Sequence, residues 1–354
     1  MPEVDDIIIG QGLAGSVLAW QLHWLGRRVL VIDREDTQTA SRIAAGLITP
    51  VTGMRFVETW RFAEFWPAAV EFYRRVERDT GMSIFRVQPA VRILASQAEV
   101  DNYAKRLTAG KLSGQTQPPR PPLKSEVFHQ PFGAFEMPSA ARLDTTQFLA
   151  ATRSMLEQTN SYLQADIDST TDVEPNLESI ELPRFNLTAK RLFFCEGIAA
   201  RNNAWFADLA FDSAAGEILT VRISGLTESR TIHRGLWLTA EKTAQVFRVG
   251  ATYNREDQTG ECTSAGKETI LNGLQEFVSD TVEVLQHDAA VRPIVVGRNP
   301  VIGRHPTHAG MWLFNGLASK GALQAPAVVA HLVEAATGEC PIDPEYDYQL
   351  RRKT

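Results

Sequence analysis

The chain has 354 residues. A single small hydrophobic core does not normally stabilise a chain of this length, so we expect two domains. Its formal net charge of −6 argues against nucleic acid or an anionic membrane as the main partner, although a local basic groove would be compatible with it. The three cysteines are odd in number and far apart, which predicts neither a disulfide framework nor a metal site and fits a reducing compartment. The N-terminus lacks a signal-peptide pattern and no apolar run is long enough to span a bilayer, so we expect a cytoplasmic protein without a membrane partner.

The first predicted elements are a strand, a turn, a helix and a second strand. Ile7–Ile9 is a short apolar run that ends in a glycine-rich turn over 10–15, and apolar residues then recur at helical spacing up to Gly26. A second apolar run over 29–32 ends at Asp33. This order is typical of the opening of a parallel sheet.

Gly10, Gly12 and Gly15 have the spacing of a dinucleotide-binding turn. The first permits a tight turn, the second lets the backbone approach a pyrophosphate, and the third lets the helix pack closely on the strand. Asp33 then stands where an acid accepts hydrogen bonds from a ribose diol. The alternatives are a structural glycine turn and a surface or capping role for Asp33, and the spacing itself does not separate FAD from NAD.

A run of small residues, Ser41–Leu47, follows soon after Asp33. Small side chains would let backbone N–H groups contact a cofactor closely, and the Ser41 hydroxyl would hydrogen-bond a phosphate. A tight packing turn is the alternative interpretation.

Helices and a second sheet are predicted further along the chain. Residues 56–80 carry an aromatic stripe at helical spacing, which is typical of a core helix. The last helix is predicted to begin near Pro326 and to run to about Ala336. Four β-rich runs predict an antiparallel sheet distinct from the first one. They lie near Phe85–Leu94, Gly216–Ser224, Thr231–Thr239 and Val246–Tyr253.

Several patches in sequence order resemble the D-amino-acid oxidase and glycine oxidase family of FAD-dependent oxidoreductases, and also the FAD domain of a bifunctional tRNA wobble-uridine modification enzyme. They are Ile7–Asp33, Ser41–Leu47, Cys195–Gly197, Ala215–Leu219, Arg248–Thr252, and a last patch made of 291–293, 300–303 and 316–326. The resemblance implies an α/β (α+β) fold, with a discontinuous Rossmann-like FAD-binding domain and an inserted substrate domain on a mixed or antiparallel sheet. The predicted segments are 1–84, 141–213 and 288–354 for the first domain, and 85–140 and 214–287 for the second.

The cofactor that the resemblance implies is FAD. It is expected to bind non-covalently, because no cysteine lies near the C-terminal loop where some relatives attach flavin. The predicted cofactor-binding residues are Gly10, Gly12, Leu13, Ala14, Gly15, Asp33, Arg34, Ser41, Arg42, Ala45, Gly46, Leu47, Gly197, Gly316, Leu317, Ala318, Ser319, Lys320 and Gly321.

The predicted catalytic residues are Arg292 and Lys320. Arg292 matches the family arginine that grips the substrate carboxylate, and a guanidinium suits that planar two-pronged contact. Lys320 is expected to add positive charge at the flavin edge or to help oxygen react. Trp237, Tyr253 and Arg55 are candidate substrate contacts. The alternatives are a structural ion pair for Arg292, a solvated side chain for Lys320, and a packing or surface position for the other three.

Together these features predict FAD-dependent oxidation of a small amine or amino acid to an imine, with oxygen as the expected electron acceptor. Three alternatives stay open at this point. They are a flavoenzyme acting on a tRNA-borne modified uridine, a non-catalytic FAD-binding protein, and an NAD-dependent dehydrogenase, which the glycine spacing alone would permit.

Overall fold

The computed structural model describes residues 3–112, 114–297 and 299–352. The strands within these residues are β1 (Glu3–Ile9), β2 (Val29–Asp33), β3 (Leu47–Ile48), β4 (Val51–Thr52), β5 (Val57–Glu58), β6 (Phe85–Val87), β7 (Ala90–Ile93), β8 (Ala134–Met137), β9 (Ala141–Leu143), β10 (Tyr162–Gln164), β11 (Glu174–Pro175), β12 (Ile180–Leu182), β13 (Leu187–Phe194), β14 (Ala214–Ile223), β15 (Thr231–Arg234), β16 (Leu236–Ala240), β17 (Val246–Gly250), β18 (Val282–Arg292), β19 (Val301–Arg304) and β20 (Met311–Asn315). The α-helices are α1 (Leu13–Trp24), α2 (Ala40–Ile43), α3 (Phe62–Thr80), α4 (Gln97–Thr108), α5 (Thr145–Gln158), α6 (Ser264–Gln275) and α7 (Gly321–Thr337).

An eight-stranded sheet carries the N-terminal glycine turn. Its strand order is β10-β2-β1-β13-β12-β11, with β20 beside β13 and β19 beside β20. The pairs β10–β2, β2–β1, β1–β13 and β13–β20 are parallel, which confirms the predicted parallel opening. Ile7, Ile8 and Ile9 are all buried because β1 is an inner strand with packing on both of its faces.

Helix α7 begins at Gly321, so the predicted start near Pro326 is wrong. A proline inside a helix has no N–H to donate to the carbonyl four residues earlier. In this case the Tyr73 hydroxyl donates to that carbonyl, the oxygen of Ala322, at 2.9 Å. The buried carbonyl therefore keeps a partner and the helix continues through Pro326.

Helix α3 confirms the predicted aromatic core helix, but it begins at Phe62 rather than at residue 56. The preceding residues pair instead, because β4 and β5 form a short antiparallel hairpin. Phe65, Phe72 and Tyr73 of α3 are buried in the core against the first sheet.

A seven-stranded sheet, in the order β18-β14-β17-β16-β15-β7-β8, forms the second layer. All of its pairs are antiparallel except β15–β7, so the sheet is mixed. Side chains alternate between its two faces. Leu219, Leu238 and Val249 pack on one face against Ile270 and Leu274 of α6.

The opposite face of this sheet looks toward the eight-stranded sheet. Strand β18 runs from Val282 to Arg292 and so crosses residue 288, where the sequence placed a domain boundary. The exact domain segments stay a prediction. None of the helices in the described ranges is long and apolar enough to cross a membrane.

Candidate cofactor and substrate site

A cavity of about 570 Å³ has walls from both large sheets. The eight-stranded sheet contributes Ile9, Asp33 and Phe314, and the seven-stranded sheet contributes Ile218 and Trp237. A ligand in this cavity would therefore touch both layers of the fold.

The glycine turn between β1 and α1 is a bare backbone cradle at one end of the cavity. Gly10 has a φ of 99°, and a Cβ there would lie 2.7 Å from the Cys195 carbonyl oxygen. A Cβ on Gly15 would lie 1.9 Å from the Gly10 oxygen, which explains the close packing of α1 on the turn. Gly12, at the N-terminus of α1, offers no side-chain cap. This cradle at a helix N-terminus fits a diphosphate.

Ser41 touches the same turn, because its Oγ accepts a hydrogen bond from the Leu13 N–H at 3.0 Å. Its own hydroxyl proton remains available to a ligand, so phosphate binding by Ser41 stays a prediction. The adjoining small-residue run lines the cavity at Ala45, Gly46 and Leu47.

Two arginine side chains donate hydrogen bonds to backbone carbonyls of the small-residue run. Arg248 donates to the carbonyl oxygens of Ile43 and Ala44, and the Arg142 Nε donates to the carbonyl oxygen of Ala45 at 3.2 Å. Three successive carbonyls are thus fixed by side chains of β9 and β17. Sequence reasoning gave neither arginine a role, and only the V-G-A-T resemblance pointed to the neighbourhood of Arg248.

The Asp33 carboxylate accepts hydrogen bonds from two backbone N–H groups, of Gln11 at 2.7 Å and of Glu35 at 2.8 Å. It therefore ties the glycine turn to the end of β2 while it lines the cavity, and its ribose contact stays a prediction. Arg34 also lines the cavity and pairs with Asp36 at 3.0 Å.

Glu196 is a cavity residue that sequence reasoning missed as a site residue. Its carboxylate accepts a hydrogen bond from Asn203 Nδ2 at 2.7 Å, and burial raises its pKa to about 7. The acid in the Cys195–Gly197 patch was the available signal, although its burial could not be read from the sequence.

The structure brings most of the predicted cofactor residues to the cavity wall. These are Gly10, Gly12, Leu13, Ala14, Asp33, Arg34, Ser41, Ala45, Gly46, Leu47, Gly197, Gly316, Leu317, Ala318, Ser319, Lys320 and Gly321. Gly15 and Arg42 lie outside the wall, Gly15 packed against Gly10 and Arg42 exposed at the surface.

Arg292 ends β18 with its guanidinium half-buried against the cavity. It donates to the carbonyl oxygens of Ala215 at 3.1 Å and Thr252 at 3.2 Å. No carboxylate of the described residues lies within ion-pairing distance of it, and burial lowers its pKa. The geometry therefore does not support the ion-pair alternative, and an unpaired guanidinium on a cavity wall suits an anionic ligand.

The glycine opposite this side chain makes room for it. A Cβ on Gly216 would lie 2.1 Å from one terminal nitrogen of the Arg292 guanidinium. The G-E-x-L patch that carried part of the family resemblance thus contains the glycine that Arg292 needs.

The remaining predicted residues divide between the cavity and the surface. Trp237 and Lys320 line the cavity, and burial lowers the pKa of Lys320 to about 8. Tyr253 is 52% exposed and outside the wall, with its ring centre 5.5 Å from the Arg292 guanidinium carbon. Arg55 is exposed and also outside the wall. Substrate contacts by these residues stay predictions.

One group of potential metal ligands lies away from the cavity wall. Ligand atoms of His331, Glu334 and Cys340 all lie within 4.8 Å of one another near the C-terminal end of α7. The sequence predicted no metal site, and His331 Nε2 already accepts the backbone N–H of Asp343 at 2.9 Å.

Comparison with known proteins agrees with this site. The family model described as FAD dependent oxidoreductase (DAO) matches residues 5–335. A glycine oxidase from Bacillus licheniformis is 22% identical over 357 residues, which cover 97% of this chain and 95% of the relative.

Two solved structures share the fold. The glycine oxidase from Bacillus cereus ATCC 14579 has a TM-score of 0.82 at 17% identity and covers 96% of both chains. The iminodiacetate oxidase from Chelativorans sp. BNC1 has a TM-score of 0.75 at 19% identity, covering 96% of this chain and 97% of that one. Because the family model spans nearly the whole chain and the glycine cradle fits its cofactor, the chain belongs to the DAO family of FAD-dependent oxidoreductases and its cofactor is FAD.

Proposed function

We propose that the protein oxidises an amine or amino acid whose carboxylate binds Arg292. The observation that carries this proposal is the half-buried Arg292 guanidinium, which has no acidic partner in the described ranges and faces the same cavity as the cofactor turn. Glycine and iminodiacetate, after which the two oxidases above are named, are both amines that carry carboxylates. Their names support the same substrate class.

Bound FAD supplies a two-electron acceptor for the hydride that leaves the substrate carbon. The chain itself binds and orients the substrate. Arg292 holds the carboxylate in a two-pronged contact, which fixes the neighbouring C–H bond, while Ile218 and Trp237 give the cavity apolar walls that limit water. An amine that binds unprotonated needs no protein base, and the resulting imine hydrolyses in water.

We further propose oxygen as the electron acceptor, reduced to hydrogen peroxide. Lys320 supports this proposal, since a lysine with a pKa of about 8 carries positive charge beside the cavity at neutral pH. Substrate-dependent oxygen uptake with one peroxide formed for each imine would support an oxidase. Turnover with an artificial acceptor alone would show a dehydrogenase.

Arg292→Met tests the carboxylate clamp. Removing a charged two-pronged contact costs about 2–3 kcal/mol, so we expect KM for the amine to rise by roughly 30- to 150-fold while the flavin content stays unchanged. Anaerobic bleaching of the flavin with an amine panel identifies a reducing substrate, and steady-state turnover rates over a range of its concentrations then give KM. Arg255→Met is the matched control, because Arg255 is an exposed arginine that also approaches the Tyr253 ring, at 5.7 Å. An unchanged KM in Arg292→Met would contradict the clamp.

A further inference from the structure

The cavity-facing side of the seven-stranded sheet carries a row of residues in register. Cross-strand partners share a face of the sheet, so this row forms a continuous strip of the wall. In order across the strands, the row is Ile218, Gly250, Trp237, His233, Arg92 and Phe135. All of these except the glycine line the cavity.

Two adjacent members of the row, His233 and Arg92, are nitrogen bases that sequence reasoning did not select. His233 Nε2 and Arg92 Nε are both buried and have no hydrogen-bond partner among the described residues. A buried polar group without a partner costs about 1–3 kcal/mol, so two of them side by side on a cavity wall point to a ligand.

The rest of Arg92 is held in place. Its terminal nitrogen donates to the Glu99 carboxylate at 2.9 Å, and its guanidinium carbon lies 5.5 Å from the centre of the Phe56 ring. These contacts fix the side chain while leaving the Nε–H without an acceptor. The guanidinium is therefore oriented before any ligand arrives, which reduces the entropy lost on binding.

This part of the wall carries more positive than negative charge, because Glu99 balances Arg92 while Lys320 lies near enough to His233 to lower its pKa. Burial, together with the charges of Arg92 and Lys320, lowers the pKa of His233 to about 3, so the imidazole is neutral and offers one N–H. The acids that line the cavity are Asp33, Asp36, Asp166 and Glu196, and none of them belongs to the seven-stranded sheet.

We propose that Arg92 and His233 form a second anion-binding subsite, so that the substrate is an amine with two acidic groups. One acid would bind Arg292, as in the proposed function on which this inference rests, and the other would bind Arg92 and His233. Gly216, beside the Arg292 guanidinium, is three strands away from His233 and two residues along its strand from the same row, which places the two backbones roughly 16 Å apart. Allowing for the side chains that reach inward, the acids would be separated by roughly 10 Å, several bonds along the substrate.

The test measures binding of unreactive acids to the holoenzyme from the change in the flavin absorbance spectrum. Succinate, adipate, suberate and sebacate are compared with butyrate, hexanoate, octanoate and decanoate. We expect the longer diacids to bind about tenfold more tightly than monoacids of equal length, and succinate to show no such advantage. Since the monoacids keep an apolar tail that suits an apolar wall, a diacid preference requires a second polar contact.

Arg92→Met and His233→Phe should each remove the diacid preference and leave monoacid affinity unchanged. Arg222→Met is the control, because Arg222 lies on the same sheet as an exposed ion pair with Glu283. Arg92→Met leaves the Glu99 carboxylate without its arginine. If that variant does not fold, His233→Phe by itself tests the second subsite. Equal affinity for diacids and monoacids, or a preference that survives both variants, would overturn the second subsite. Monoacid binding that survives Arg292→Met would instead overturn the proposed function, and the diacid preference would be judged separately.

Discussion

Gly216 leaves room for the Arg292 guanidinium because it has no side chain. Its Cα faces the Arg292 guanidinium so closely that a methyl group would lie 2.1 Å from a terminal nitrogen and 2.3 Å from the guanidinium carbon. Backbone on both sides is fixed by the β14–β18 pairing, in which Gly216 is opposite Ala290. The guanidinium, rather than the sheet, must therefore move when a side chain is added.

Gly216→Ala should displace Arg292 without removing its charge. We expect the Kd of a simple monocarboxylate to rise about tenfold or more, because the two-pronged geometry is lost, while bound flavin stays constant. The measurement is flavin absorbance during carboxylate titration. Thr220→Ala is the matched control, since Thr220 is on the same strand and face but outside the cavity wall. Equal Kd values in the two variants would refute the role of the glycine.

Lys320 makes carboxylate binding depend on pH. Burial lowers its pKa to about 8, so its positive charge is present below that pH and lost above it. Glu196, on the same cavity wall, has a pKa of about 7 and is already ionised above about pH 8. The Kd of a monocarboxylate should therefore rise between about pH 8 and pH 9, an interval in which neither the ligand nor His233 titrates. In Lys320→Met the Kd should be flat across the same interval, and an unaltered slope would rule out Lys320 as its source.

The lowered pKa of Lys320 also affects the stability of the ligand-free protein, and there the effect of raising the pH has the opposite sign. The unfolded chain binds the Lys320 proton more tightly than the folded chain does, because a solvated lysine titrates near 10.5. The contribution of Lys320 to the free energy of unfolding therefore increases as pH rises from about 8 to 10.5.

The small-residue run between α2 and β3 depends on a neighbouring element for its shape. Its carbonyls at Ile43 and Ala44 accept from Arg248 of β17, whose pKa is lowered by burial. Since the run lines the cavity, the seven-stranded sheet helps to hold a loop of the expected cofactor site. Such a contact makes flavin binding sensitive to a residue of the other layer.

Arg248→Met should weaken FAD binding. It removes the Arg248 donor of the part-buried Ile43 carbonyl and one of the two donors of the Ala44 carbonyl, which keeps the Thr145 hydroxyl at 3.0 Å. A loss of about 1–3 kcal/mol corresponds to roughly a 5- to 150-fold higher Kd for FAD. Titration of the apoprotein with FAD, followed by flavin fluorescence, measures this effect. The exposed arginine variant Arg222→Met should bind FAD as the wild type does, and the prediction fails if the two variants have the same Kd.

At the scale of the whole molecule, the acids that line the cavity all come from one layer. These acids come from the layer of the eight-stranded sheet and its connecting loops, whereas Arg92, His233 and Arg292 come from the seven-stranded sheet. Backbone N–H groups of the glycine turn in the first layer suit the phosphates of FAD, which would leave the arginines of the second layer for the proposed substrate.

The sequence by itself determined the strand–turn–helix with its glycine cradle, the second β-rich layer and the family, because these follow from local periodicity and from motifs of fixed spacing. Only the tertiary structure decided which side chains meet in the cavity. Arg92 stands between two buried residues of β7, a period-2 pattern that is typical of a residue facing solvent. In the structure, that face of the sheet forms the cavity wall. Helix α7 similarly passes through Pro326 because Tyr73, some 250 residues earlier, supplies the missing donor. Contacts between distant segments have no local pattern, so their outcome depends on how the two sheets pack.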